Sequence, residues 1–155
     1  YYNQFKLNYN ILRFGTVYGL RSNIDNSIFR YIKKAINNQV IKVNSNKDII
    51  REYIHVDDIA NYCVEILKPI YDNQDFILTG NYQTRIKDLF NLISEILGKK
   101  IKVKYENNFK INHYKITPYS YMPDLSKKVS INHSVDLGQG LLQLVHELKN
   151  KRTKL

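Results

Sequence analysis

Two segments constrain the fold of this chain more than any others. The first reads Asn-Ile-Leu-Arg-Phe-Gly-Thr-Val-Tyr-Gly-Leu-Arg over 10–21, and it predicts a buried strand at 10–14 that ends in a glycine-marked loop. The second reads Arg-Glu-Tyr-Ile-His-Val-Asp-Asp-Ile-Ala over 51–60, and it predicts a short strand that runs into a helix capped by Asp57. Strands that alternate with helices in this way indicate an α/β fold.

The rest of the chain continues the alternation. Further strands are expected at 40–43, 49–56, 76–79 and 101–105. Helices are expected at 27–38 with a cap at Ser27 or Asn26, from Asp57 to Pro69, from a cap at Thr84 to Gly98, and after a cap at Asp136. Residues 106–134 are expected to be irregular. The pattern predicts the last strand of a doubly wound parallel sheet together with a smaller mixed α/β lobe.

Composition excludes several classes of function. Among 155 residues, 24 Lys and Arg against 14 Asp and Glu give a net charge of +10, but the lysines are scattered and form no long basic stripe, so no nucleic-acid partner is expected. No apolar run approaches the roughly 18 residues of a membrane span, so no membrane association is expected. The single Cys63 cannot form an internal disulfide, which favours a cytoplasmic location. The histidines and Cys63 lack metal-ligand spacing, and no metal is expected.

Two positions could bind a ligand. The loop after the first strand leaves the carboxyl end of that strand, where open α/β sheets bind ligands, and Thr16 offers a hydroxyl there. The alternative is a tight structural turn with Tyr18 in the core. Arg51 could hold a diphosphate through a bidentate pair, although a lone arginine is more commonly an ordinary surface residue.

Together the two segments resemble the C-terminal half of the NAD-dependent epimerase/dehydratase family, the extended short-chain dehydrogenases that include UDP-glucose 4-epimerases. The Arg-Glu-Tyr-Ile-His-Val-Asp-Asp run is the most specific motif of this resemblance. The resemblance implies that 1–26 is the terminal portion of an NAD-binding Rossmann domain. It implies that 27–150 is mainly a nucleotide-sugar-binding lobe with helices that cross back to the Rossmann sheet, and that 151–155 is a charged tail.

The resemblance also assigns site residues. By position, Phe14 and Gly15 would face the nicotinamide of NAD, and Thr16 would contact the sugar nucleotide in place of the family's Asn. Arg51 would bind the diphosphate, and the strand that contains Val40 and Ile41 would lie along the nucleobase. The family also places a second arginine in the loop before the last helix. No arginine occurs there in this chain, and the candidates to replace it are Lys115, Lys127 and Lys128.

No catalytic residue is assigned. The family uses Tyr-x-x-x-Lys, in which the lysine lowers the pKa of the tyrosine. Tyr2–Lys6 matches those letters but lies too close to the first strand, so the catalytic pair is expected before Tyr1. The glycine-rich pyrophosphate turn is also missing, because Gly138-Gln-Gly140 follows no strand and indicates a helix start.

The expected function therefore belongs to a parent protein. That function is NAD-dependent epimerisation or dehydration of a nucleotide-diphosphate sugar, by removal and return of a hydride at a sugar carbon. This chain alone is expected to be inactive, and the full-length protein is expected to be a homodimer. The alternatives are a nucleotide-sugar reductase or decarboxylase of the same family and a non-catalytic module that binds nucleotide sugars.

Overall fold

A computed structural model describes residues 2–44, 46–106, 126–129 and 134–152 of the chain. Strands and helices alternate along it, as expected. In chain order the elements are α1 (Tyr2–Phe5), β1 (Asn10–Phe14), β2 (Thr16–Tyr18), α2 (Ser27–Ile36), β3 (Ile41–Val43), β4 (Ile50–His55), α3 (Val56–Glu65), a 3-10 turn (Pro69–Tyr71), β5 (Gln74–Leu78), β6 (Gln83–Arg85), α4 (Ile86–Leu97), β7 (Val103–Tyr105), β8 (Lys127–Lys128) and α5 (Leu137–Arg152).

The first strand lies in a parallel sheet of order β1-β5-β8. Phe14 is paired with Leu78, and the Gly15 amide continues the ladder by donating to the carbonyl oxygen of Leu78 (2.9 Å). The carboxyl ends of β1 and β5 therefore meet at the same edge of the sheet. A parallel sheet with helical connections confirms the predicted α/β class.

The loop that follows β1 passes into a second sheet. Here β2 lies parallel to β4, and β6 lies antiparallel to the other edge of β4. A two-stranded parallel sheet of β3 and β7 lies apart from these. The strand β2 occupies residues expected to form a loop, and β8 lies in the region expected to be irregular.

Three helices share one apolar core with the aromatic end of β2. The faces of α2, α4 and α5 bring together fully buried aliphatic side chains over Tyr18, which is 2% exposed. The expectation that Tyr18 could be a core residue is thus confirmed. The core aliphatics from these helices are Ile28, Ile32, Leu89, Ile93, Leu141 and Leu144.

Helix boundaries follow their capping residues, with two departures from expectation. Asn26 accepts from the Phe29 amide (3.1 Å), and Asp136 accepts from the Gln139 amide (3.1 Å), so both expected caps are present. The cap of α3 is His55, whose Nδ1 accepts from the Asp57 amide (3.3 Å), so the prediction of Asp57 as cap is wrong. The expected cap Thr84 lies inside β6, because pairing with β4 keeps it extended.

Two further features concern the helices. Gly98 ends α4 in the left-handed conformation (φ 63°), which glycine adopts without steric strain. Within the residues that the structure describes, every helix is too short or too polar to cross a bilayer.

Candidate functional site

A basic cavity of about 360 Å³ lies between α2 and the strands β3 and β4. Its volume is within the range of about 300–1,000 Å³ that is typical of small-molecule sites. We call it the basic cavity, and its described lining residues are Thr16, Ser27, Arg30, Tyr31, Lys34, Lys42, Val43, Asn44, Arg51, Tyr53 and Ile86.

Positive charge dominates this cavity. The described lining contains two arginines and two lysines and no Asp or Glu. The Arg51 guanidinium is half-buried, and its Nη1 donates to the carbonyl oxygen of the neighbouring Ile50 (2.7 Å), which leaves other donors of the planar fork for a ligand. Burial lowers the pKa of Arg51, but an arginine remains protonated in proteins. The cavity is therefore suited to an anion.

Two tyrosines add flat surfaces and hydroxyl donors to the wall. Tyr53 lies two residues after Arg51 on β4, so both side chains project from the same face of that strand. Burial raises the pKa of Tyr53 and of Tyr31, so both phenols stay protonated at neutral pH. Tyr31 also packs edge-on against Phe90 of the core, with ring centroids 5.0 Å apart. Through Tyr31, one wall of the cavity packs against the core.

The structure brings together two of the residues that the sequence assigned to the substrate. Thr16 begins β2 and Arg51 lies on β4, and parallel pairing of these strands places both in the wall of the basic cavity. Val40 and Ile41 are outside the described lining. Ile41 is fully buried and Val40 precedes β3, while their neighbours Lys42 and Val43 line the cavity.

The two residues assigned to the cofactor lie immediately before Thr16. Phe14 ends β1 with 40% of its side chain exposed, at the edge of the sheet where α/β folds bind ligands. Gly15 packs so closely that an added Cβ would lie 2.9 Å from the Cα of Thr79. A side chain at position 15 would therefore clash with Thr79 and with the carbonyl oxygen of Glu52, so the glycine permits close packing of the protein at this point. The described residues include no glycine-rich strand–turn–helix for a pyrophosphate.

Three cationic lining residues escaped the sequence analysis. Arg30 and Lys34 are four residues apart on α2 and therefore lie on one helix face. Lys42 is the exposed middle residue of β3, between two buried neighbours. The four-residue spacing of Arg30 and Lys34 is the signal that could have found this pair, since the helix itself is marked by its cap Asn26. The first turn of that helix contains no acidic residue. Arg51 and Tyr53 are two residues apart, which is the spacing that places two side chains on one face of a strand.

The expected replacements for a second diphosphate-binding arginine lie elsewhere. Lys127 Nζ donates to Gln74 Oε1 (3.0 Å), and Lys128 forms an ion pair with the buried Glu52 (3.0 Å). Neither belongs to the described lining of the basic cavity. Lys115 lies outside the described residues. In the described lining of the basic cavity, Arg30 supplies the second guanidinium beside that of Arg51.

Asp58, the second of the two acidic residues after β4, has a structural role. Asp58 is 5% exposed, and both of its carboxylate oxygens accept from the Val135 amide (3.1 Å each), which holds the entry to α5 against α3. This confirms the structural interpretation of Asp58. Across the described part of the chain, His, Cys, Asp and Glu side chains form no group of three or more that could hold a metal.

A profile of the NAD dependent epimerase/dehydratase family matches residues 1–78. The chain belongs to this family, whose cofactor is NAD. The resemblance deduced from the two segments is thereby confirmed.

Relatives extend the match over nearly the whole chain. The chain is 25% identical over 158 aligned residues to UDP-glucuronate 4-epimerase of Thermodesulfobacterium geofontis, which covers 96% of this chain and 49% of the relative. Two solved structures share the fold. A mutant UDP-glucuronic acid 4-epimerase from Bacillus cereus with a UDP-sugar and NAD has a TM-score of 0.81 and 23% identity, covering 97% of this chain and 48% of that one. UDP-glucose 4-epimerase of Thermotoga maritima with UDP-glucose has a TM-score of 0.79 and 20% identity, covering 97% and 49%.

The chain thus spans about half the length of the relatives that it matches. This agreement in fold covers both the parallel sheet of β1 and the strands that form the basic cavity.

Proposed function

We propose that this chain forms the substrate-side half of an NAD-dependent epimerase or dehydratase that acts on a nucleotide-diphosphate sugar. The observation that carries the proposal is the basic cavity, which brings Arg51 together with Thr16, two residues after the exposed end of β1. A relative and two structural neighbours of the chain bear the names of UDP-sugar 4-epimerases. When bound, NAD supplies the acceptor for a hydride.

The residues of the cavity take distinct roles in this proposal. The planar fork of Arg51 holds the diphosphate through charge-assisted hydrogen bonds, which are stronger than those of neutral groups. Thr16 donates to or accepts from a sugar hydroxyl. The strand β3 borders the nucleobase through Lys42 and Val43, the neighbours of the assigned Val40 and Ile41. Phe14 and Gly15 flank the nicotinamide at the end of β1.

The proposal also covers the domain organisation of the chain. Residues 1–26 finish the NAD-binding domain and 27–150 form mainly the substrate lobe, although β5 of that range pairs with β1. The Tyr-x-x-x-Lys pair and the glycine-rich turn lie on another part of the protein. Homodimerisation stays a prediction from the resemblance, and a cytoplasmic location stays a prediction from the single Cys63.

The binding part of the proposal is tested by Arg51→Lys in the protein expressed from its complete reading frame. Lysine keeps the charge but lacks the bidentate fork, so we expect the affinity for UDP-glucose, measured by calorimetry, to fall about tenfold, or about 1.4 kcal/mol. Arg85→Lys is the matched control, because Arg85 lies on the adjacent β6 and outside the described lining. Equal losses in the two variants would contradict the role of Arg51.

Turnover separates the catalytic part from its alternatives. Incubation of the complete protein with NAD and UDP-sugars is expected to yield a C4 epimer or a dehydrated sugar, whereas a reduced or decarboxylated product would identify a sister reaction. Binding with no NAD-dependent product would identify a non-catalytic module.

A further inference from the structure

Two neighbouring sheets carry the two parts of the proposed site. The sheet of β1, β5 and β8 ends beside Phe14 and Gly15, which we assign to the nicotinamide. The strand β4 of the other sheet carries Arg51, which we assign to the diphosphate. Transfer of a hydride from the sugar requires that the reacting atoms are held about 3–3.5 Å apart. The proposed reaction therefore depends on the distance between these two sheets.

The backbones of the two sheets meet at two glycines. An added Cβ at Gly15 would lie 3.2 Å from the carbonyl oxygen of Glu52. An added Cβ at Gly80, just after β5, would collide with the carbonyl oxygen of Tyr53. Glycine permits this close approach, but it contributes no side chain that would resist sliding of one strand past the other. A side-chain connection between the sheets can supply that resistance.

Lys128 makes such a connection. Its backbone belongs to β8, where it is paired with Ile77 of β5, so it is part of the sheet that ends at the cofactor. Its Nζ lies 3.0 Å from Oε1 of Glu52, which is on β4. Glu52 directly follows Arg51, so its side chain projects from the opposite face of that strand. The ion pair therefore holds β4 from behind the proposed diphosphate site.

Both ends of this ion pair are fixed. Glu52 is 2% exposed, and a buried carboxylate that loses its partner carries a large free-energy penalty. Its Oε1 also accepts from Nε2 of Gln83 on β6 (3.4 Å). At the other end, the amide of Val129 donates to the carbonyl oxygen of Ile77 (3.0 Å), which holds β8 against β5. The pair thus joins one anchored strand to another.

We propose that Glu52 and Lys128 are positioning residues, which hold the diphosphate-binding strand β4 at a fixed distance from the cofactor end of β1. This inference rests on the proposed function, because it takes Arg51 as the ligand of the diphosphate and places the nicotinamide beside Phe14 and Gly15. Loss of the ion pair should leave each ligand bound and should slow the step in which the two ligands react.

The chain offers a matched control at the adjacent position. Lys127 is also an exposed residue of β8, but its Nζ donates to Oε1 of Gln74 (3.0 Å), which lies on β5 of the same sheet. Lys127→Met and Lys128→Met remove the same charge from neighbouring residues. Of the two variants, Lys128→Met is the one that breaks a contact between the sheets.

The test uses the protein expressed from its complete reading frame. Its substrate is whichever of UDP-glucose, UDP-glucuronate and UDP-N-acetylglucosamine is turned over fastest with NAD. In Lys128→Met we expect kcat to fall about tenfold, because misplacement of reacting groups by about 1 Å costs up to about 100-fold. The dissociation constants of NAD and of UDP, each measured alone by calorimetry, should be unchanged. Lys127→Met should match the unaltered protein in all three quantities.

Hydrogen exchange followed by mass spectrometry gives a readout that does not depend on turnover. Amides of β4 should exchange faster in Lys128→Met, whereas amides of β5 should keep their rates. If the uncompensated carboxylate of Glu52 prevents folding of this variant, the double variant Glu52→Gln with Lys128→Met removes both charges. It should show the same fall in kcat and the same faster exchange.

The outcomes separate this inference from the proposed function. Equal kcat in Lys127→Met and Lys128→Met, or unchanged exchange in β4, overturns the inference and leaves the nucleotide-sugar site standing. A fall in kcat with an equal loss of affinity for UDP also overturns it, because the pair then supports the binding site and not the distance between the sheets. Absence of turnover of all three UDP-sugars by the unaltered protein overturns the proposed function, and this inference with it.

Discussion

Replacement of Gly140 by alanine tests how tightly α5 is packed against the strands that lead to the basic cavity. An added Cβ at this position would lie 2.6 Å from the hydroxyl oxygen and 2.8 Å from Cε2 of Tyr18, and 2.9 Å from Cδ2 of His55. Both rings are almost fully buried, so neither can rotate into solvent. The rings also contact each other edge-on at 5.3 Å, so a shift of one displaces the other.

The magnitude follows from two opposing effects. Ordinary contacts between two carbon atoms begin at about 3.5 Å, so the new methyl group, 2.8 Å from Cε2 of Tyr18, is too close to that atom by about 0.7 Å. Overpacking of a core costs about 1–3 kcal/mol, and rigid neighbours place this site at the upper end. Alanine gains up to about 1 kcal/mol over glycine through helix propensity. The expected net loss for Gly140→Ala is about 2 kcal/mol of unfolding free energy.

Gly138→Ala is the matched control because it makes the same chemical change two residues earlier in α5. Its added Cβ would come closest to Asp136 Oδ1 at 3.0 Å, a single oxygen that also accepts from the Gln139 amide, so any strain is confined to the cap of α5. We expect this variant to be unchanged or more stable by up to about 1 kcal/mol. Urea unfolding followed by circular dichroism measures both, and tyrosine emission is a second probe, since the chain has 13 Tyr and no Trp. A difference below about 0.5 kcal/mol between the variants would refute the packing argument.

Two further predictions concern buried polar groups. Burial raises the pKa of Tyr18 and Tyr53 above the unfolded value of about 10, so above that pH the folded state binds more protons than the unfolded state, and stability should fall as the pH rises. Urea titrations at increasing pH should show a shallower loss in Tyr53→Phe, whereas Tyr82→Phe, at a position 78% exposed, should follow the unaltered protein; identical slopes in all three would contradict the assignment. Asp58→Ala removes the acceptor of the Val135 amide and should cost about 1–3 kcal/mol and speed hydrogen exchange at that amide, while Asp58→Asn should retain part of the protection. Unchanged exchange at Val135 in the alanine variant would show that Asp58 does not hold the entry to α5.

The sequence was sufficient wherever structure depends on neighbours in the chain. The cap at Asp136 and the helix end at Gly98 were predicted correctly, and Asn26 is one of the two caps expected for α2, because capping uses residues within one turn of the helix end. The strand at 10–14 was predicted with the correct bounds because its apolar run is bounded by glycine, but the prediction that it is buried was wrong, since Ile11 is 41% and Phe14 40% exposed. The family could be deduced for the same reason, since its motifs are contiguous.

Tertiary contacts decided what contiguous patterns left open. The three-residue strands β2 and β6 exist because β4 pairs with them on both edges, and that partner lies far away in sequence. Thr84 consequently extends a strand where a cap was expected, and His55 takes the cap expected of Asp57.

The set of residues that lines the candidate site is the feature that the sequence predicted least completely. The sequence by itself determined the α/β class and the family, because both follow from local patterns, and it predicted Thr16 and Arg51 as site residues through the family resemblance. Only the fold placed Arg30, Lys34 and Lys42 around the same space. Separately each of these is an ordinary basic residue in a basic chain. The spacing of Arg30 and Lys34 places them on one helix face, but their proximity to Lys42 arises from the packing of α2 beside β3 and β4, which no spacing along the chain encodes.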